Sequence, residues 1–261
     1  MGITATTDAG VAEIVLDKPP VNAFTVADWY AIADAVTAAG RDPAVTAVVL
    51  RAEGRAFCAG VDIKEIQAEG DVALVGANRG CYAAFNAVYD CQVPVIAAVQ
   101  GYCLGGGIGL VGNADIVVAS SDAVFGLPEV DRGALGAATH LSRLVPQQVM
   151  RMMVYTCRNL SAEELARYGA LLDVVPREQL RDTALGLARD IATRNGYVIR
   201  RAKESLNGID PVDVHKSYRY EQGFTYELHV SGVADEHRAA FVEKRDRDDS
   251  RTPSGKEPAR G

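Results

Sequence analysis

The stretch that decides the fold is Gly101-Tyr102-Cys103-Leu104-Gly105-Gly106-Gly107-Ile108-Gly109-Leu110, and Phe125-Gly126-Leu127-Pro128-Glu129-Val130 follows it. Three successive glycines expose backbone N–H groups beside an apolar run, and a lone carboxylate, Glu129, comes on the next apolar segment. Exposed N–H groups and one positioned carboxylate are the parts needed to hold a developing oxyanion and to move a proton. No acidic residue lies inside the glycine stretch itself.

Strand and helix patterns alternate through the first two thirds of the chain. Residues 11–17 alternate as a strand that ends at Lys18-Pro19-Pro20, which cannot continue a ladder. Thr25 can cap a helix that runs through residue 38. We predict further strands at residues 46–51, 93–99, 114–119 and 123–125, and a helix at residues 77–90. This alternation indicates an α/β core.

The last third is mainly helical. We predict a short strand at 171–175 and helices at 140–153, from Ser161, at 179–194, at 198–206 and at 212–241. The chain then divides into a core over 1–195, a helical module over 196–249 and a disordered tail over 250–261.

Composition excludes several classes of protein. The 261 residues carry a net charge of -7, which argues against a nucleic-acid partner, and are 48% hydrophobic, as in an ordinary globular protein. No apolar run reaches the roughly 18 residues of a membrane span. The five cysteines form no CxxC pair and follow no signal peptide, which favours a reducing cytoplasm. The four histidines are dispersed, so we expect no metal site.

Gly107, Gly109 and Gly112 match the dinucleotide-binding pattern GxGxxG, with Asp131 about 20 positions further on. Such a motif forms a tight turn directly after a strand, whereas residues 101–106 intervene here between the strand and Gly107. The motif also lacks a clear βαβ frame. We therefore reject a nicotinamide dehydrogenase and predict that no nicotinamide is required.

Five ordered segments together resemble the crotonase (enoyl-CoA hydratase/isomerase) superfamily over roughly residues 3–245. Residues 94–107 are similar to that family's signature and residues 57–65 to its other loop. Residues 18–23 resemble its coenzyme A-binding segment, residues 125–129 its catalytic strand and residues 239–245 its C-terminal helix. Three further segments, at 78–81, 129–143 and 232–238, resemble one branch of the family, which contains a hydrolase that opens the last steroid ring in cholesterol breakdown.

The resemblance implies an α/β, crotonase-like spiral of ββα units with a C-terminal helical module. It implies that this module, residues 196–249, serves oligomerisation and that the chain assembles as a homotrimer or a dimer of trimers. It implies an oxyanion hole made by the backbone N–H groups of Val61 and Gly106, which would stabilise a thioester enolate. It further implies no permanently bound cofactor, because coenzyme A arrives as part of the acyl-CoA substrate. The residues implied to contact coenzyme A are Lys18, Pro20, Val21, Ala23, Ala59, Val61, Asp62, Ile63 and Lys64.

Hydratases of this family carry two glutamates, one that activates water and one that protonates the α-carbon. The second matches Glu129, whereas the first falls on Gly109. This departure puts simple enoyl-CoA hydration in doubt, and we expect the space left at Gly109 to admit water or part of a cyclic substrate. Asp131, if the chain is extended there, and His140 are further candidates for proton transfer; each has a structural role as the alternative.

Three functions remain open from the sequence. The first is a hydrolase that opens a ring carbon–carbon bond of a bicyclic keto acyl-CoA in steroid catabolism. The second is an enoyl-CoA hydratase or isomerase of fatty-acid metabolism, since isomerisation also needs only one base. The third is a non-catalytic protein that binds coenzyme A.

Overall fold

The computed structural model describes residues 2–243 and residue 245. Within them the main sheet has six strands in the order β1-β2-β4-β7-β9-β12, antiparallel between β1 and β2 and parallel elsewhere. A second sheet has the order β11-β10-β8-β5, and β3 pairs with β6 in parallel. The strands are β1 (Gly2–Asp8), β2 (Val11–Asp17), β3 (Ala23–Phe24), β4 (Ala47–Ala52), β5 (Ala56–Cys58), β6 (Gly60–Val61), β7 (Val95–Val99), β8 (Tyr102–Leu104), β9 (Ile116–Ser120), β10 (Val124–Gly126), β11 (Leu160–Ser161) and β12 (Asp173–Val175).

Helices cover both faces of the main sheet and form the C-terminal part. They are α1 (Val26–Arg41), α2 (Ile63–Glu69), α3 (Asp71–Tyr89), α4 (Gly106–Val111), α5 (Ala138–Leu141), α6 (Gln147–Thr156), α7 (Ala162–Ala166), α8 (Arg177–Ala192), α9 (Gly196–Gly208), α10 (Val214–Val230) and α11 (Val233–Glu243), with a 3-10 helix at Val130–Arg132. Among the described residues, no helix is both long enough and apolar enough to cross a membrane.

The central strands are apolar on both faces because both faces are covered. In β4, Val48 and Leu50 join the large core that includes α1 and α3, whereas Ala47 and Val49 point to the opposite side. There they pack against α8, whose apolar side chains include Leu180. A parallel sheet buried in this way produces the continuous apolar runs seen in the sequence.

The local signals for helix starts predict the structure well. Thr25 and Ser161 each cap a helix with a reciprocal capping box, at α1 and α7. Glycine-rich residues 105–107 lead from β8 into α4, so the glycine stretch lies at a strand-to-helix junction.

Several predicted boundaries are wrong. The helix predicted at 140–153 is broken into α5 and α6, because Pro146 lacks an N–H and instead starts α6. The helix predicted at 212–241 breaks at Gly232, which has a φ of 78°. The helix predicted to begin at 77 begins at Asp71, and β1 and α2 were not predicted.

The C-terminal helices pack onto the core. Arg200 of α9 donates to the carbonyl oxygens of Asp42 and Val45, and Lys203 forms an ion pair with Asp115 at 2.7 Å. The division at residues 195/196 remains a prediction, and the tail predicted at 250–261 lies outside the described residues.

Candidate active site

Glu129 sits where the chain leaves β10 and turns into the 3-10 helix. Its carbonyl oxygen accepts hydrogen bonds from the N–H groups of Arg132 and Ala134, at 2.9 and 3.0 Å. Gly133 closes the turn with a φ of 63°, a conformation that glycine adopts without strain. The backbone that carries the carboxylate is therefore fixed by its own turn.

The carboxyl group of Glu129 is buried and lacks a full set of partners. Its Oε2 atom has no hydrogen-bond partner among the described residues. Burial raises the pKa of Glu129 to about 8, although its own backbone N–H and the charge of Arg132 oppose the shift. A carboxyl with a pKa near neutrality can both accept and return a proton.

Two cavities meet at Glu129. We call the first the aromatic cavity, and it is lined by Val61, Leu74, Ala77, Asn78, Cys81, Phe85, Gly106, Glu129, Ala134, Leu135, Gly136, Ala137, Tyr218 and Thr225. We call the second the arginine cavity, and it is lined by Ala59, Gly60, Val61, Ile63, Gly105, Pro128, Glu129, Arg132, Ala134 and Arg238. Val61, Glu129 and Ala134 line both, so a ligand spanning the two would pass beside the carboxyl group.

The backbone N–H groups of Val61 and Gly106 are available at this junction. Across the β3/β6 pair, Asp62 N–H donates to the carbonyl oxygen of Phe24 at 2.8 Å, so the N–H of Val61 points away from β3. Gly106 is the first residue of α4, where an N–H has no acceptor within the helix. A side chain at Gly106 would collide with the ring of Trp29, which explains why glycine is needed there.

The glycines of the GxGxxG pattern serve packing within the core. A Cβ at Gly107 would lie 2.9 Å from the carbonyl oxygen of Cys58, and one at Gly112 would collide with the backbone of His140. A Cβ at Gly109 would collide with the ring of Phe85.

The contact at Gly109 corrects an expectation. The space left by the missing acid is not empty, because the ring of Phe85, a buried side chain of α3, occupies it. Neither water nor part of a substrate can therefore enter at Gly109.

The residues predicted to contact coenzyme A divide into two groups. Ala59, Val61 and Ile63 line the arginine cavity. The other six lie outside the lining of both cavities. Lys18 forms an ion pair with Asp28, and Asp62 caps α2 by accepting a hydrogen bond from the Lys64 N–H. Lys64 and Pro20 are exposed, whereas Val21 and Ala23 are half-buried.

Asp131 and His140 lie outside both linings. The chain at Asp131 is a 3-10 turn rather than extended, and the residue is exposed. His140 is fully buried behind Phe85 and Tyr218, with its Nδ1 3.1 Å from Asn113 Oδ1. Burial lowers the pKa of His140 to about 3, so its ring is neutral.

Sequence reasoning missed most of the walls. The C-terminal helices contribute Tyr218 and Thr225 to the aromatic cavity and Arg238 to the arginine cavity, although we assigned them to assembly alone. Asn78 and Cys81 were noted only as part of a family-like segment. Their helical spacing of three on α3 was the one local signal that both face the same way.

Comparisons with known proteins agree with this architecture. A family model described as Enoyl-CoA hydratase/isomerase matches residues 6–249. A relative from Rhodococcus jostii (strain RHA1) is 63% identical over 245 residues, covering 93% of this chain and 95% of its own. One from Mycobacterium tuberculosis (strain ATCC 25618 / H37Rv) is 61% identical over 246 residues, covering 94% and 100%. Both are named (7aS)-7a-methyl-1,5-dioxo-2,3,5,6,7,7a-hexahydro-1H-indene-carboxyl-CoA hydrolase.

Solved structures show the same fold. A carnitinyl-CoA hydratase from Mycobacterium avium is 31% identical with a TM-score of 0.82, covering 96% of this chain and 99% of that one. An enoyl-CoA hydratase/isomerase from Pseudoalteromonas atlantica T6c is 25% identical with a TM-score of 0.85, covering 95% and 99%. The fold is therefore the crotonase fold, and the chain belongs to the enoyl-CoA hydratase/isomerase family.

Proposed function

We propose that this protein is an enzyme that hydrolytically opens a ring carbon–carbon bond of a fused bicyclic keto acid, bound as its coenzyme A thioester, in steroid catabolism. The observation that carries the proposal is the buried carboxyl of Glu129 at the junction of two cavities, where it is the one carboxyl among the described residues that line them. The two relatives above 60% identity, both named as hydrolases of a bicyclic dioxo acyl-CoA, favour this substrate class.

In this proposal the thioester lies across the junction, with its oxygen on the N–H groups of Val61 and Gly106. The attached coenzyme A then extends through the arginine cavity, where the guanidinium groups of Arg132 and Arg238 suit phosphates. The ring system occupies the aromatic cavity, where Phe85 and Tyr218 offer apolar surface.

Glu129 acts first as a base and then as an acid. It takes a proton from water while the water oxygen bonds to the carbon of a ring ketone. The adjacent ring carbon–carbon bond then breaks, its electron pair moves to the thioester oxygen as a vinylogous enolate, and the ketone carbon becomes a carboxylic acid. Glu129 returns the proton to carbon, so the reaction adds one water and consumes no other reactant.

The packing at Gly109 speaks against simple hydration. The hydratases that this chain resembles use a second glutamate at that position, whereas Phe85 fills it here. Loss of one acid/base group typically lowers the rate by about 10²–10⁴-fold. A reaction that needs one proton-transfer residue is therefore favoured.

Assembly and location belong to the same proposal. We propose a homotrimer or a dimer of trimers, supported by apolar side chains exposed on α10 and α11, among them Tyr220, Val230 and Phe241. Five free cysteines support a reducing, cytoplasmic setting. Light scattering at micromolar concentration tests the assembly, and a monomer would contradict it.

The test of function is a panel of straight-chain and bicyclic keto acyl-CoAs, analysed by mass spectrometry and by a thiol reagent. We expect the bicyclic dioxo thioester to gain one water while coenzyme A stays attached. Release of free thiol would indicate thioester cleavage instead. Rapid hydration of crotonyl-CoA without ring opening would restore the simple hydratase and refute the proposal.

A further inference from the structure

Five buried polar side-chain atoms have no hydrogen-bond partner in the part of the chain that the structure describes. They are Trp29 Nε1, Asn78 Nδ2, Asn86 Oδ1, Glu129 Oε2 and His140 Nε2. Two of them, on Asn78 and Glu129, belong to residues that line the aromatic cavity. A buried polar atom without a partner costs about 1–3 kcal/mol, so its persistence at a cavity suggests that a ligand completes it.

Asn78 is held in place by a neighbouring helix. It lies on α3, and its backbone carbonyl oxygen accepts a hydrogen bond from Gln222 Nε2 of α10 at 2.7 Å. That contact fixes the turn of α3 that carries the amide. Around it the cavity wall is mostly apolar, with Leu74, Ala77 and Phe85 on the same helix. A single amide on such a wall is suited to orient a polar group of a ligand.

We propose that the side-chain amide of Asn78 donates a hydrogen bond to the ring ketone oxygen whose carbon is attacked by water. This inference rests on the proposed function and names the residue that activates the electrophile. As the water oxygen bonds to the ketone carbon, the carbonyl π electrons move to the ketone oxygen. When that oxygen reforms its double bond, the ring bond breaks and its electron pair moves toward the thioester.

The reaction needs a second donor because it creates two oxyanions in turn. The N–H groups of Val61 and Gly106 serve the thioester oxygen and cannot also serve a ketone elsewhere on the ring system. A donor aimed at an oxyanion contributes more to the transition state than to the ground state, and its removal lowers kcat by about 10²–10³-fold. The loss should therefore appear in kcat, with little change in KM.

The test compares Asn78→Leu and Asn78→Ala with a matched control on the same helix. Asn86 also carries a buried unpartnered atom but does not line either cavity. We expect both Asn78 variants to lower kcat for ring opening by about 10²-fold or more, and Asn86→Leu to leave kcat near that of the wild type. Asn78 variants that turn over at the wild-type rate, or that change only KM, would overturn the inference.

A spectroscopic measurement keeps the test valid if an Asn78 variant turns over too slowly to assay. In Glu129→Gln, bound substrate should persist, and infrared difference spectra can report its ring ketone stretch. We expect that band at lower frequency in Glu129→Gln than in the double variant with Asn78→Ala. An unchanged band refutes the role of Asn78. Absence of ring opening by the wild type would instead refute the proposed function, so the two failures are distinguishable.

Discussion

Replacing Glu129 by Gln should stabilise the fold at alkaline pH relative to the wild type, although it lowers activity. The unfolded chain ionises this carboxyl near 4.5, whereas burial in the fold raises its pKa to about 8. Between these values the native state holds a proton that the unfolded state has released. Stability conferred by the protonated group is thus complete below about pH 4.5 and declines as the pH rises through 8.

The magnitude follows from the size of the shift. Each pH unit within the window lowers the unfolding free energy of the wild type by about 1.36 kcal/mol relative to the Gln variant. From about pH 5.5 to about pH 8, the difference between the two proteins should change by about 3 kcal/mol. Any constant cost of placing an amide in the cavity cancels, because only the pH dependence of the difference is compared.

The assay is urea unfolding followed by the fluorescence of Trp29, the single tryptophan, which is fully buried against Phe24 and Phe85. Both proteins are measured at one concentration across the pH range. Glu163→Gln, on the exposed side of α7, controls for the substitution itself. A difference between wild type and Glu129→Gln that stays flat, or grows in favour of the wild type, would refute the burial argument.

Four further predictions concern rate, packing and an ion pair. Because Glu129 must begin as a base, kcat/KM for ring opening should rise about tenfold per pH unit up to a pKa near 8. A kcat/KM that falls over this pH range would contradict the assignment. Glu129→Gln should lower kcat by at least about 10²-fold. Gly109→Ala should lower the free energy of unfolding by about 1–3 kcal/mol, because the new methyl group collides with Phe85, and Gly109→Glu should lower it further. The loss caused by Gly109→Ala should be smaller when Phe85 is replaced by Leu. If the two substitutions are strictly additive in a double-mutant cycle, the contact is not responsible. Lys203→Met should destabilise the fold by about 1–2 kcal/mol, since it removes the ammonium group that donates to both oxygens of Asp115, a carboxylate that keeps its bond from the Val95 N–H. An unchanged urea midpoint would contradict that.

Local chemistry was sufficient to predict much of the framework. The capping residues Thr25 and Ser161 predict the starts of their helices, because each forms its capping hydrogen bonds with a residue three positions further along the chain. The break at Pro146 was also readable, since proline cannot donate within a helix, but apolar spacing on both sides of it suggested continuity. The helix predicted at 140–153 was wrong because the apolar spacing was given more weight than the missing backbone N–H of Pro146.

The sequence predicted a site residue only where that residue belongs to a short contiguous motif. Glu129 and the glycine stretch could be identified from the sequence because each forms a short motif. The unpartnered amide of Asn78 could not, since a missing partner is a property of the folded surroundings. The placement of α10 and α11 on the cavities likewise depends on contacts across more than a hundred residues, which no local pattern encodes.

The pairing of Gly109 with Phe85 links packing to the choice of reaction. Introducing an acid at position 109 would require a smaller residue at position 85 at the same time, because the ring and a side chain at 109 would occupy the same space. An acidic residue placed at position 109 by a single substitution would therefore collide with Phe85 and could not reach a catalytic position. With one carboxyl retained, chemistry on this scaffold depends on donors that hold charge rather than on a second proton-transfer group. The side-chain amide of Asn78, an unpartnered donor on the aromatic cavity, then favours attack of water on a ring ketone, as in ring opening, over attack on an alkene, as in hydration.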